Sequence, residues 1–163
     1  MKKRKTLKRA TKNSFTVYIA EQYAVIGALD VLILGLFIVF SPILWPNENI
    51  KSMAIFYIVF GVGVLLGVYI MIKSLRFRIV VKNENLTVYP LLSKSYTFTF
   101  DDIETVKRQV KKRYEGQAER IVIRTNQGRK VIAESLFVAY RKLIEKIHEN
   151  VDESKLIGEW ENE

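Results

Sequence analysis

The chain has no cysteine, and its 163 residues include one histidine and three prolines. Without cysteine there is no disulfide, no thiolate nucleophile and no thiolate metal site. One histidine leaves no pair of imidazole ligands, and neither an HExxH pair nor a glycine-rich phosphate loop is present. His148 falls between Ile147 and Glu149 in the last turn of a helical pattern, as a surface or cap residue rather than a base. The adjacent carboxylates Asp101 and Asp102 are read as shaping a turn. No catalytic, cofactor-binding or metal-ligating residue is expected, and the chain is not expected to be an enzyme.

Charge is also missing where apolar residues concentrate. Residues 53–72 (MAIFYIVFGVGVLLGVYIMI) run for 20 residues without a charge or a proline. Residues 23–45 run for 23 with a single acid, Asp30. About 20 apolar residues of helix cross a bilayer core. In lipid the backbone must satisfy its own hydrogen bonds, so both runs are expected to be transmembrane helices joined as a hairpin. The first is too long for a signal core, no small-x-small cleavage pattern follows Phe40, and a second span follows at once, so it is read as retained. Pro42, Pro46 and the interfacial Trp45 are expected to end it, and Tyr23 marks its other edge.

The net charge is +9, unevenly placed. Residues 1–22 hold seven basic residues and one acid, while the loop 46–52 is neutral. Lys73, Arg76, Arg78 and Lys82 follow the second span. Basic residues beside spans stay in the cytoplasm. The chain is therefore expected in the cell membrane as a multi-pass protein with both termini cytoplasmic. The segment 1–22 is read as a basic cytoplasmic flank, its first 14 residues too polar to fold alone and suited to anionic lipid.

Three residues stand out inside the spans. Asp30 lies about two turns inside the cytoplasmic edge, and an embedded carboxylate is a functional-site candidate by default. Gly63 and Gly67 form a GxxxG pair that lets helix backbones approach, here expected against the small residues Gly27, Ala28 and Gly35 of the first span.

Beyond residue 72 the pattern alternates as strands do. Residues 75–81 (LRFRIVV) place Leu75, Phe77 and Ile79 on one face. A turn at 83–85, a strand at 86–89 stopped by Pro90, and an alternating run at 95–100 follow. Residues 120–125 and 130–133 flank Asn126-Gln127-Gly128 as a hairpin. Residues 101–114 fit either a helix capped by Asp101 or a turn and a strand. Residues 135–149 fit an amphipathic helix capped by Ser135, with Leu136, Phe137, Tyr140, Leu143, Ile144 and Ile147 as its stripe. The expected class is a membrane α-helical hairpin plus an α+β unit, a small antiparallel sheet or barrel over 73–150 closed by that helix.

Lys107, Arg108, Lys111, Lys112 and Arg113 fall within seven residues. This is the candidate binding patch, for anionic lipid or an acidic partner. The tail 151–163 carries five acids and one lysine, and also Leu156, Ile157 and Trp160. It is expected to dock loosely over the patch.

The order of parts resembles that of bacterial pleckstrin-homology-like (PH-like) membrane proteins. The similarity lies in the strand 75–81, the turn and strand 86–91, and above all Tyr96-Thr-Phe-Thr-Phe100-Asp-Asp-Ile103-Glu-Thr-Val106, completed by the Gly128 hairpin and the C-terminal helix. The resemblance implies two spans, a PH-like barrel over residues 75–150, and a strand at 101–114. The expected function is a cytoplasmic PH-like module for a protein partner or anionic lipid. Nucleic acid is not an expected partner. The alternative is a small oligomeric transport or pore component using Asp30 and the glycine-rich second span.

Overall fold

The computed structural model describes residues 14–113, 116–158 and 160. They divide into two units: a helical pair over residues 20–76, and an α+β unit formed by residues 14–19 together with those from 77 onward.

The helical pair consists of α1 (Gln22–Leu44) and α2 (Ile50–Arg76). At 1.5 Å per residue they are about 35 and about 40 Å long, enough for a hydrocarbon core of about 30 Å. Both are long and apolar enough to cross a membrane. α1 reaches Leu44, and Pro42 sits inside its last turn. The Ile38 carbonyl would have bonded the N–H that Pro42 lacks, and Ser41 Oγ donates to it instead (2.8 Å). Ser41 Oγ also hydrogen-bonds the Tyr57 hydroxyl across the pair (2.9 Å). At the other end, Ser74 Oγ donates to the Ala20 carbonyl (3.1 Å). α2 runs through Arg76, so Leu75, expected on a strand face, lies in its last helical turn.

Among the described residues the α+β unit holds nine strands in two sheets and not a closed barrel. The first sheet has the order β4-β3-β2-β1-β8 and the second β7-β6-β5-β9. Its first strand, β1 (Ser14–Ile19), falls in the segment read as a basic flank. It pairs antiparallel with β2 (Arg78–Lys82), Val17 opposite Ile79 and Tyr18 opposite Arg78. The helical pair is thus an insertion between two adjacent paired strands. Ala20 and Glu21 connect β1 to α1, and Phe77 alone connects α2 to β2.

β2 turns through Asn83, at φ 52°, into β3 (Asn85–Tyr89), and β4 (Tyr96–Thr99) completes that run. Asn tolerates the left-handed region better than other side chains that carry a Cβ. Next, Ile103 N donates to the Phe100 carbonyl (3.1 Å). Asp102 accepts from the Thr99 N–H (2.8 Å) and hydroxyl (2.9 Å). Those two bonds hold the Asp102 carboxyl below its ordinary pKa. The turn therefore uses Asp102, not Asp101, and a strand follows it: β5 (Ile103–Arg113), an antiparallel partner of β6 (Gly116–Thr125). β6 pairs in turn with β7 (Lys130–Glu134).

The C-terminal helix is shorter than its apolar stripe suggested. It is α3 (Tyr140–Asn150). Residues before it stay extended because β8 (Phe137–Val138) pairs with Ile19 and Tyr18 of β1. Ser135 Oγ accepts from Glu119 N (3.2 Å) and caps no helix. Leu136, expected in the stripe, is 62% exposed. Tyr140, Leu143 and Ile147 remain as the buried face of α3. With the inner positions of both sheets, such as Val17, Ile79, Leu86, Phe98, Val106 and Ile121, they form the core. The tail belongs to this unit as well. Val151 is buried, Glu153–Lys155 make a 3₁₀ turn, and β9 (Leu156–Ile157) pairs parallel with Val106 and Lys107.

Candidate functional site

Alternation along β5 separates two neighbours that the sequence put in one patch. Val106 is fully buried, so beyond the bulge at Ile103/Thr105 the alternation turns Lys107 outward and Arg108 inward. The Arg108 guanidinium donates to Glu119 Oε1 at 3.0 Å, with the two side chains 15% and 18% exposed. The Tyr140 hydroxyl is buried there with no hydrogen-bond partner among the described residues. Burial, and then the Glu119 carboxylate, push its pKa well above the ordinary value, against the opposing pull of Arg108. Arg108 thus belongs to a half-buried structural pair and not to a surface patch. Lys111, Lys112 and Arg113 lie on β5 opposite Ala118, Gln117 and Gly116, and their side chains lie outside the described residues.

What the register assembles on the outer face of the second sheet is a different group of cations. One cross-strand row joins Ile132, Val122, Lys107 and Ile157. On one side of it, Arg120 lies between Glu134 and Gln109, and Arg120 Nε donates to Gln109 Oε1 (2.6 Å). On the other side, Arg124 lies directly opposite Lys130 and next to Thr105. Both Arg124 and Lys130 are exposed, and neither is in an ion pair among the described residues. Like charges directly opposite each other cost stability. Arg129, in the adjoining turn, lies over the Tyr96 ring at 4.3 Å. Burial raises the pKa of Tyr96, and the Arg129 charge partly offsets that. The result is a half-apolar stripe, Ile132–Val122, flanked by Lys107, Arg120, Arg124 and Lys130. Such a face can hold anionic groups while resting on apolar material.

Sequence reasoning put Lys107 in this face and missed Arg120, Arg124, Arg129 and Lys130. The signal was present. A hairpin around Asn126-Gln127-Gly128 places residues 124 and 130 opposite each other, and the alternation of RIVIRT puts Arg120 and Arg124 on one side.

In the helical pair, Gly27, Asp30 and Gly67 meet at a close approach of α1 and α2. A Cβ on Gly67 would lie 2.6 Å from Asp30 Oδ2, 3.0 Å from the Gly27 carbonyl oxygen and 3.0 Å from Val31 Cγ2. A Cβ on Gly63 would run into Leu34 Cδ1, and Gly35 has nothing within 4 Å. Asp30 thus rests on its own chain's second helix. Among the described residues no three metal-ligating side chains are grouped. Comparisons with protein family models, with curated proteins and with solved structures gave no match.

Proposed function

We propose that this chain is a membrane-anchored PH-like module, held at the cytoplasmic leaflet by its helical pair, whose second sheet binds anionic lipid headgroups. The observation that carries the binding assignment is the opposed pair Arg124 and Lys130, like charges that form no ion pair among the described residues. Lys107 and Arg120 on the same face add to it, and each basic residue near an anionic leaflet is worth about 1 kcal/mol. A PH-like assignment is supported by the division of the strands, β1–β4 in one sheet and β5–β7 in the other, followed by a C-terminal helix. Membrane anchoring is supported by the bare apolar surface of both helices; Ile43 and Leu65 are 73% and 69% exposed. A soluble core helix would hide such surface. Connectors of two residues and one residue join the module to the two helices. The transport or pore reading has less support, because Asp30 sits against its own chain's Gly67.

The test uses the absence of native cysteine. The full chain carrying Gln127→Cys is labelled with a fluorophore and placed in bilayer discs containing headgroup-quencher lipid. Quenching is expected in discs with anionic lipid. It should fall at least several-fold in neutral discs, and likewise when Lys107, Arg124 and Lys130 become Gln. No quenching in either lipid would overturn lipid binding and direct attention to an acidic protein partner.

A further inference from the structure

We propose that the outer edge of β5 is a docking site for an extended acidic–apolar segment of a partner protein, occupied here in cis by the chain's own tail. β5 has 11 residues and is paired along its inner edge with β6. On its outer edge the one strand among the described residues is β9, whose two residues Leu156 and Ile157 lie opposite Val106 and Lys107. A strand edge is a template for another strand, and proteins cover such edges or use them. A two-residue parallel ladder is a weak cover, since parallel pairing is the less stable kind and short elements open first.

The resident segment shows what the edge accepts. After the buried Val151, Asp152 caps a 3₁₀ turn by accepting from Ser154 N (3.1 Å). Lys155 Nζ reaches the Asp101 carbonyl at 3.4 Å. Gly158, at φ 107°, lies so close to the Arg108 carbonyl that any Cβ would collide with it. The chain then returns: Trp160 Nε1 donates to the Ile157 carbonyl (3.2 Å), and its ring stacks on His148 of α3 at 6.5 Å. Backbone pairing on β5, an apolar pair and an aromatic on α3 are thus all supplied by one short segment. Charge matches too. β5 carries five basic residues and one acid, and residues 151–163 carry five acids and one lysine. A partner segment of the same kind would pair with β5 once the tail lets go.

The experiment is a binding titration of full chains in bilayer discs against a fluorescent peptide of residues 152–163. Three chains are compared: wild type, Gly158→Val, and one ending after Val151. Wild type, its site taken, is expected to bind at least about ten-fold more weakly than either variant that keeps the wild-type melting transition. A scrambled peptide of equal charge should bind none of them tightly. Equal binding by all three chains, or equal binding of the scrambled peptide, would overturn the proposal. So would absence of binding by a folded variant. Failure of both variants to fold would make the tail an integral part of the core and would overturn it as well.

Discussion

Tyr140 places a buried hydroxyl beside the Arg108–Glu119 pair without a hydrogen bond among the described residues. A buried polar group without a partner costs about 1–3 kcal/mol. Tyr140→Phe is therefore expected to raise neutral-pH stability by about 1 kcal/mol. The folded-state pKa of Tyr140 is raised, so its contribution is intact below the ordinary tyrosine value of about 10 and is lost as pH climbs above it. The variant should consequently lose less stability than wild type between about pH 7 and about pH 11 in denaturant melts. A variant destabilised by more than about 1 kcal/mol at neutral pH would mean the hydroxyl has a partner. This pair also explains why the sequence misplaced Arg108. Composition showed five cations in seven residues, but only the parity of β5, set by Val106, tells which of them reaches water.

Among the elements, the two apolar helices were legible because a continuous apolar run of that length has few other readings, and β6–β7 because Asn126-Gln127-Gly128 is strong turn chemistry. β1 was not legible. Ser14–Ile19 is six residues beside a basic flank, and its partner β2 lies across the whole helical pair. Local periodicity cannot show a pairing that distant. The same holds for β8 and β9, two residues each, which are strands only because β1 and β5 already lie beside them. α3 was overextended because Leu136 and Phe137 match a helical stripe, whereas pairing with β1 holds Phe137 in a strand. β1 supplies the buried Val17 and Ile19 and joins β2 to β8. A chain of residues 77–163 alone should therefore fail to melt cooperatively. One in which Asn-Gly joins Ile19 directly to Phe77 should fold, because Tyr18 and Arg78 are already opposed as in a two-residue hairpin. Cooperative melting of residues 77–163 alone would show β1 to be dispensable.

At the scale of the whole molecule, one α+β unit is interrupted after its first strand by a helical pair whose outer surfaces are apolar. An insertion of this kind ties the unit to both helix ends that flank it, so both tethers emerge on one side of any bilayer the pair crosses. In the proposed function that side is the cytoplasm, the side on which basic residues such as Lys73 and Arg76 in the last turn of α2 are kept. Since the chain has no cysteine, single positions report sidedness without background. The deciding measurement is labelling of Asn47→Cys, between α1 and α2, and of Gln127→Cys, in the β6–β7 turn, by a membrane-impermeant thiol reagent on intact cells. The account predicts that Asn47→Cys is labelled at once and Gln127→Cys only after the membrane is opened. Labelling of both from outside, or of neither until lysis, would contradict a membrane-crossing pair with its module in the cytoplasm.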